Sequence, residues 1–575
     1  MRGLLCLFFL LFFLLPALAW ALTIHLNGAP AEVETAFRQE SQFLDPDLPQ
    51  DVPALQQELR LRRDASTLQE ILQSFGYFQA EVASGLNATD VTFTVTPGPR
   101  FTFAQPSLEA PELPGELRAQ LTERLAPVSA PHPYFAGTVL DTEAALLAIL
   151  RQNGHPRPLA ERRVVAHHAS RTVTVTWQLA PGAPRVFGNT TIDTPPALDP
   201  AYVERRLRWR PGEPYDVRTV DATRIRLLRT GLFSALQVEE DDTAPGEALP
   251  MRIRGQLAAP RTVRAGLWYF TDGGPGVEGG WEHRNFLGAG ERFTTDLTLS
   301  QDRSQWETQL VFPDAAGVDR RLVLSGKALD ETTKAYRTRS ITVGSLLNMD
   351  LDNRLNVEGG LRYRLSRVDG TTRETHNLLS TPMQVTFSSV VDLLDPRQGV
   401  RLTFQVEPFT SLEDASRSFL LTSISGRMYL PLGPRLTLAL RGRSAAITGV
   451  GRSRVPQDVR LYAGGPQSIR GFASQSAGPL DADDTPEGGL AAVDGSAELR
   501  WRLTDTWGLA AFVDGGGAFA QHTPDRLGDL FWGAGLGLRY ATPIGPLLLD
   551  IAVPVVGRRD SDAPFQIYIN FGQAF

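Results

Sequence analysis

From Arg261 to Phe575 apolar and polar residues alternate with a period of two, and no other feature of the sequence limits the fold as strongly. Val400, Leu402, Phe404 and Val406 are interleaved with Arg401, Thr403, Gln405 and Glu407. Leu436, Leu438 and Leu440 are interleaved with Arg435, Thr437 and Arg441, and Ala497, Leu499, Trp501 and Leu503 with Glu498, Arg500 and Arg502. Successive side chains of a strand point to opposite faces, so each segment has one apolar and one charged face. A soluble sandwich alternates too, but it rarely repeats so many strands of this length with charges on the inner parity. Apolar-out, polar-in strands make an all-β antiparallel transmembrane β-barrel, and closure leaves no unpaired edge in lipid. About sixteen strands fit, eleven before Arg470 and five after it, since strands of ~9–11 residues suffice to span. Tight turns such as Asp395-Pro396-Arg397-Gln398-Gly399 and Pro431-Leu432-Gly433-Pro434 fit the periplasmic side, and longer polar loops the outside.

Ahead of the barrel, from Leu22 to about Leu257, the sequence repeats three times. Each repeat opens on a short strand, carries two helices and closes on one or two strands. In the first, Leu68, Ile71, Leu72 and Phe75 form one helical stripe. Ser66 and Gln69 have capping-box spacing at its start, and Gly76 is placed to end it. The second stripe is Leu146, Ile149 and Leu150, ending at Asn153-Gly154; the third is Ile225, Leu228 and Leu232, with Gly231 near its end. Strands follow at Val91 to Thr96, Thr172 to Gln178 and Met251 to Leu257. The glycines at 76, 154 and 231 are 78 and 77 residues apart, so one α+β module of the β-α-α-β-β kind recurs.

A long loop, Gly464-Gly465-Pro466-Gln467-Ser468-Ile469-Arg470-Gly471-Phe472, stands between two of the alternating stretches. Gly464, Gly465 and Pro466 build a turn, and Gly471 separates one cation from one large aromatic. Further on, Phe512 and Asp514 share a parity and face the lumen, while Leu509, Ala511 and Val513 face lipid. An arginine in a narrow lumen is costly unless paired, and a planar guanidinium suits a carboxylate and an aromatic face. On these residues alone, docking of Arg470 on Asp514 and Phe512 stands beside the alternative of a solvated loop above a luminal Asp of ordinary channel polarity. The last two strands read as Leu547 to Val553 and Phe565 to Phe571, with Tyr568 on the second, Gly572 weakening it and an aromatic, Phe575, at the end.

With 42% hydrophobic residues and 52 glycines the chain does not read as a bundle of membrane helices. Its one long apolar run, Leu4 to Leu22 behind Arg2, ends in Ala17-Leu18-Ala19 and Ala19-Trp20-Ala21, patterns suited to signal peptidase. A retained anchor is the alternative, since the run approaches spanning length. The single cysteine, Cys6, lies within that run, so a cleaved chain entering an oxidising periplasm has none. A net charge of -7 gives no footing for nucleic acid. The eight histidines lack ligand spacing, and Asp481-Ala482-Asp483-Asp484 reads as a solvated acidic loop rather than a cation site. With no phosphate loop, nucleophile elbow or paired catalytic carboxylates, nothing points to an enzyme, a metal or a cofactor.

The Arg470-Gly471-Phe472 tip and the Phe512–Asp514 wall resemble the two motifs of the outer-membrane assembly-factor superfamily, which joins POTRA domains to a barrel. The turns Phe75-Gly76-Tyr77-Phe78 and Thr230-Gly231-Leu232-Phe233 and the terminal Phe575 are similar to its habitual features. Three repeats resemble the TamA branch, since BamA-type members usually carry five POTRA units and two-partner secretion transporters two. The resemblance implies a signal peptide over 1–21, POTRA domains over 22–98, 99–182 and 183–257 in the periplasm, and a barrel over 258–575 in the bacterial outer membrane. It implies a non-enzymatic insertase for client outer-membrane proteins such as autotransporters, with a TamB-like inner-membrane-anchored partner. It implies a loop-to-barrel lock of Arg470, Gly471, Phe472, Phe512 and Asp514, and a terminal strand and seam at Tyr568, Gly572 and Phe575. A secretion pore for one dedicated exoprotein is the alternative.

Overall fold

The structure, a computed structural model, describes residues 23–45, 53–87, 90–111, 113–241, 245–392, 395–524, 527–542 and 545–571. The expected signal peptide with Cys6, and Gly572 and Phe575, lie outside the described residues. The chain forms two compact units. One draws on the chain up to Thr191, Arg208–Thr223 and Val238–Arg252; the other on Ile192–Leu207, Arg224–Gln237 and the chain from Ile253 onward.

Among the described residues three small sheets precede the barrel. In the first, Asp90–Thr96 lies between Thr23–Asn27, parallel to it, and Glu81–Leu86, antiparallel to it. Its alternate residues Val91, Phe93 and Val95 are buried against Val33 and Phe37 of Ala31–Glu40 and Leu68 and Leu72 of Ala54–Ser74. Burying each such side chain is worth about 1.5–3 kcal/mol, which is what holds short strands to short helices. In the second, Thr172–Ala180 runs parallel to Thr102–Phe103 and Ser107–Glu109 and antiparallel to Leu159–His167. Its Val173, Val175 and Trp177 share a core with Leu146 and Leu150 of Ala136–Gln152. The third sheet has the order Val186–Asp193, Ala248–Leu257, Phe233–Glu240.

Two helix expectations are corrected. The first-repeat helix begins at Ala54, so Ser66 sits in mid-helix and Gln69 donates instead to the Ala80 carbonyl, 2.9 Å away. Capping-box spacing marks a start only where the preceding residues cannot continue the helix, and Leu55 to Arg63 are good helix formers. In the third repeat Ile225 and Leu228 are 46% and 40% exposed, whereas Val220, Thr223 and Leu227 are buried. The buried stripe of Val217–Leu228 therefore runs at i, i+3 and i+7 from Val220, rotated away from Ile225 and Leu228, while Leu232, past the helix end, is buried as expected.

The barrel is closed and antiparallel, with sixteen strands, eleven ahead of the loop 449–490 and five behind it, as the alternation predicts. One strand is broken. Arg373–Ser380 and Met383–Ser388 lie end to end between the same two neighbours, and Pro382, which has no N–H for the ladder, stands in the gap. Leu402 and Phe404 are each 47% exposed on the lipid face, while Glu407 on the opposite parity is buried. The turns 284–291, 313–319 and 351–354 lie at the end carrying Ile192–Leu207 and Arg224–Gln237. The loop 449–490 leaves the other end and turns into the lumen, where Ile469, Phe472 and Ala477 pack with the strand residues Ala492 and Ala518.

Candidate functional site

The loop tip is a tight bend closed by a hydrogen bond from the Gly465 amide to the Phe472 carbonyl (3.1 Å). Gly464, Gly465 and Gly471 all have positive φ, beside Pro466. At Gly471 (φ +99°) a Cβ would also come within 2.8 Å of the Val553 backbone, so this position needs glycine twice over. Phe472 is fully buried and meets the Phe531 ring edge-on, with centroids 5.4 Å apart. That anchor fixes the bend and aims Arg470 at the wall.

Arg470 is 2% exposed. Its Nε and Nη2 donate to the two oxygens of Asp514 at 2.8 and 3.0 Å, and its backbone amide donates to Asp514 Oδ2 at 3.0 Å. Its Nη1 donates to Glu498 (2.9 Å) and Asp550 (3.1 Å), and Nη2 to Ser496 Oγ (3.2 Å). The guanidinium carbon lies 3.3 Å from the centre of the Phe512 ring. Arg500 and Arg539 close the cluster by pairing with Glu498 and Asp550. Three carboxylates thus face three guanidiniums, the balance a buried charge cluster needs.

Reading the sequence left out four of these partners. Glu498 and Asp550 carried a signal, since each is acidic on the inner parity of its strand. Ser496 carried none. Gly533 matters through what it lacks: a Cβ there would sit 1.9 Å from the Arg470 carbonyl oxygen, so the loop backbone can approach the strand Phe531–Thr542 here because the residue is glycine. The acidic loop is unlike this cluster: Asp481 Oδ1 accepts from the Asp483 and Thr485 amides, and among the described residues no acidic or histidine group is arranged to hold a metal ion.

The tip also touches both sides of the junction where the barrel closes. The Gly471 amide donates to the Tyr568 hydroxyl (3.1 Å), on the last strand Gln566–Phe571. The Ser474 amide donates to Asp272 (2.6 Å), just past the first strand Arg261–Phe270. Among the described residues these two strands are joined by four registered pairs, Leu267 to Phe270 with Phe571 to Tyr568, whereas the first and second strands share ten.

A family model described as the Omp85 superfamily domain matches residues 285–575, just over half of the chain. The chain belongs to the Omp85 superfamily. It is 22% identical over 528 residues to the outer membrane protein assembly factor BamA of Nitratidesulfovibrio vulgaris, an alignment covering 87% of this chain and 66% of that one, so it spans slightly less than two thirds of that relative. Its fold is similar to that of Haemophilus ducreyi BamA lacking POTRA domains 1–3 (TM-score 0.68, 17% identity, 82% of this chain and all of the other). CdiB from Acinetobacter baumannii is a more distant likeness (TM-score 0.50, 13% identity, 90% of this chain and 98% of the other). With a barrel of this family behind POTRA-like sheets, the protein is an outer-membrane protein.

At the end away from the loop, the Omp85 barrel grips the segments Ile192–Leu207 and Arg224–Gln237. Arg206, 2% exposed, donates to both oxygens of Asp314 (2.8 and 2.7 Å) and stacks over the Tyr202 ring, 3.6 Å from its centre. Burial raises the Tyr202 pKa, an effect the Arg206 charge only partly offsets, so the ring under the guanidinium stays neutral. Arg226 reaches Asp319 (2.6 Å), Arg229 reaches Asn353 (2.5 Å), and the Asp199 amide donates to the Gly288 carbonyl (2.9 Å). Arg206→Ala is expected to loosen Pro200–Glu204 by about 2–3 kcal/mol, below the cost for a fully buried pair because Arg205 also reaches Asp314. Hydrogen exchange at Tyr202 and Val203 checks this. Combination with Asp314→Asn should cost less than the sum of the two single changes, and additive effects would show the clasp to be unimportant.

Proposed function

We propose that the chain is a non-enzymatic insertase that helps client outer-membrane proteins enter the bilayer, as the name outer membrane protein assembly factor describes its relative. The observation that carries this reading is the loop tip's position on the junction, bound to both the first and the last strand. If that junction parts, the first and last strands present unpaired backbone edges inside the membrane, and a client strand can add to them. In this proposal Arg470, Gly471, Phe472, Phe512 and Asp514 form a lock that holds the tip, and so biases the junction toward closure. Client folding drives the exchange.

In this proposal the three small sheets found among the described residues are POTRA units over 22–98, 99–182 and 183–257 ahead of a barrel over 258–575, the arrangement of the TamA branch. That branch brings a TamB-like partner and autotransporter clients into the proposal. A loop that crosses the lumen weighs against an open pore for one exoprotein.

The test is a reversible cross-link. Tyr269 and Ile569 are registered partners across the junction, and opposed strand residues bring Cβ atoms to about 4.5–5.5 Å, close to disulfide geometry. Tyr269→Cys with Ile569→Cys, oxidised, should stop client insertion into liposomes and regain it on reduction, while the barrel stays folded throughout. Unchanged insertion in the oxidised form would remove the junction from the mechanism.

A further inference from the structure

Near the loop-bearing end of the barrel, the lipid face turns from apolar to charged within one rung of the ladder. Trp306, Ala328, Ile341, Leu365 and Asn377 are cross-strand partners on five consecutive strands. The next row toward the loop end is Ser304, Asp330, Arg339, Arg367 and Thr375, and the row beyond it Thr332, Arg337, Asp369 and Arg373. These rows point outward: Trp306 and Ile341 are 55% and 59% exposed, while Thr338 and Ser366, on the other parity, are buried.

Between Trp306 and Ile341 the small side chain of Ala328 leaves a groove of about 580 Å³, with Asp330, Arg339 and Arg367 among its lining residues. The two charged rows hold four arginines and two aspartates. Asp330 serves both Arg337 (3.1 Å) and Arg339 (2.9 Å), and Asp369 serves Arg373 (2.5 Å) with Arg367 at 4.0 Å. Each carboxylate is shared by two guanidiniums, so neither group is neutral and the rim keeps a surplus of two positive charges.

Arginine on a lipid face is tolerated only near the interface, and there it meets headgroups. A guanidinium binds phosphate through a matching fork of donors. We propose that this groove is a binding site for a phosphate-bearing lipid of the outer leaflet. The phosphates would lie against Arg339 and Arg367 and one acyl chain in the groove over Ala328, beside Trp306 and Ile341. The charge complementarity selects the headgroup and the groove beneath it selects a lipid over a soluble anion.

The full chain is reconstituted in phosphatidylcholine nanodiscs doped with fluorescent lipid A, a bis-phosphorylated acylated disaccharide, or with its dephosphorylated form. Lipid retained after exchange into lipid-free detergent is then measured. The phosphorylated form should be retained about thirtyfold better, the order expected for a surplus of two cations at a membrane surface. Arg339→Glu with Arg367→Glu should erase the preference, Ala328→Phe should lower retention by filling the groove, and inorganic phosphate should not displace the lipid. Equal retention of the two lipids, or an unchanged preference in the folded Arg339→Glu, Arg367→Glu variant, overturns the site. Displacement by inorganic phosphate alone overturns its assignment to a lipid. Should the charge reversals fail to fold, Arg339→Gln with Arg367→Gln, together with Ala328→Phe, decides the matter by the same readout.

Discussion

Arg470→Ala is expected to free the loop tip while the barrel remains folded. The substitution removes the cation that Asp514, Glu498 and Asp550 share, and Asp514 and Glu498 are both 0% exposed. Removing one member of a buried pair costs on the order of 3–5 kcal/mol, chiefly because charge is left behind without a partner. The strands do not depend on it, since their ladders are continuous from Ala491–Arg502 through Trp507–Phe519 without the loop. The cost therefore falls on docking. Ser468 is buried beside the tip, and the mature chain is expected to contain no cysteine, so Ser468→Cys is a direct probe. Its maleimide labelling should rise about a hundredfold or more in the Arg470→Ala background, with a normal heat-dependent gel shift for the barrel. Asp514→Asn should act in the same direction, and the double variant should fall short of the sum. Labelling that stays slow would mean that Phe472 alone holds the tip.

How much of this can be read from residues depends on whether a property is local. Alternation is local, so the strands, their number and the outward face of Leu402 and Phe404 follow from the period. The parity that puts Phe512 and Asp514 on one side of their strand is local too, and both side chains are buried. Which strands stand around the tip is not local. Glu498 and Asp550 reach Arg470 because closure brings their strands, Ala491–Arg502 and Gly545–Val556, around the same bend, and no spacing in the chain encodes that. Gly533 is silent for the same reason, being needed only where another segment passes close. The third-repeat helix shows the converse failure. Ile225 and Leu228 fit an acceptable stripe with the buried Leu232, yet what packs against a helix decides which of its faces is used, and within Val217–Leu228 it is that of Val220, Thr223 and Leu227.

Removal of residues 22–98 is expected to abolish capture of the proposed TamB-like partner and to leave the barrel assembled. Among the described residues the first sheet has three strands, and two of them, Thr23–Asn27 and Glu81–Leu86, are its edges. An edge strand presents a row of backbone donors and acceptors that an extended partner segment can complete. Net of water, each such hydrogen bond is worth about 0.5–1.5 kcal/mol, so a handful of them is enough for a complex that survives purification. Glu81–Leu86 is the better candidate, because most of it is exposed and it is antiparallel to its neighbour. The deletion is read by cross-linking in membranes and co-purification, with the gel shift of the remaining chain as control. Proline gives the finer test. Successive amides of a strand alternate between the neighbour and the open side, so of Ala83→Pro and Ser84→Pro one removes a ladder bond and the other only an outward donor. The variant that keeps the first sheet folded should lose the partner as completely as the deletion does. Partner capture that survives both that variant and the deletion would move the contact away from the first sheet altogether.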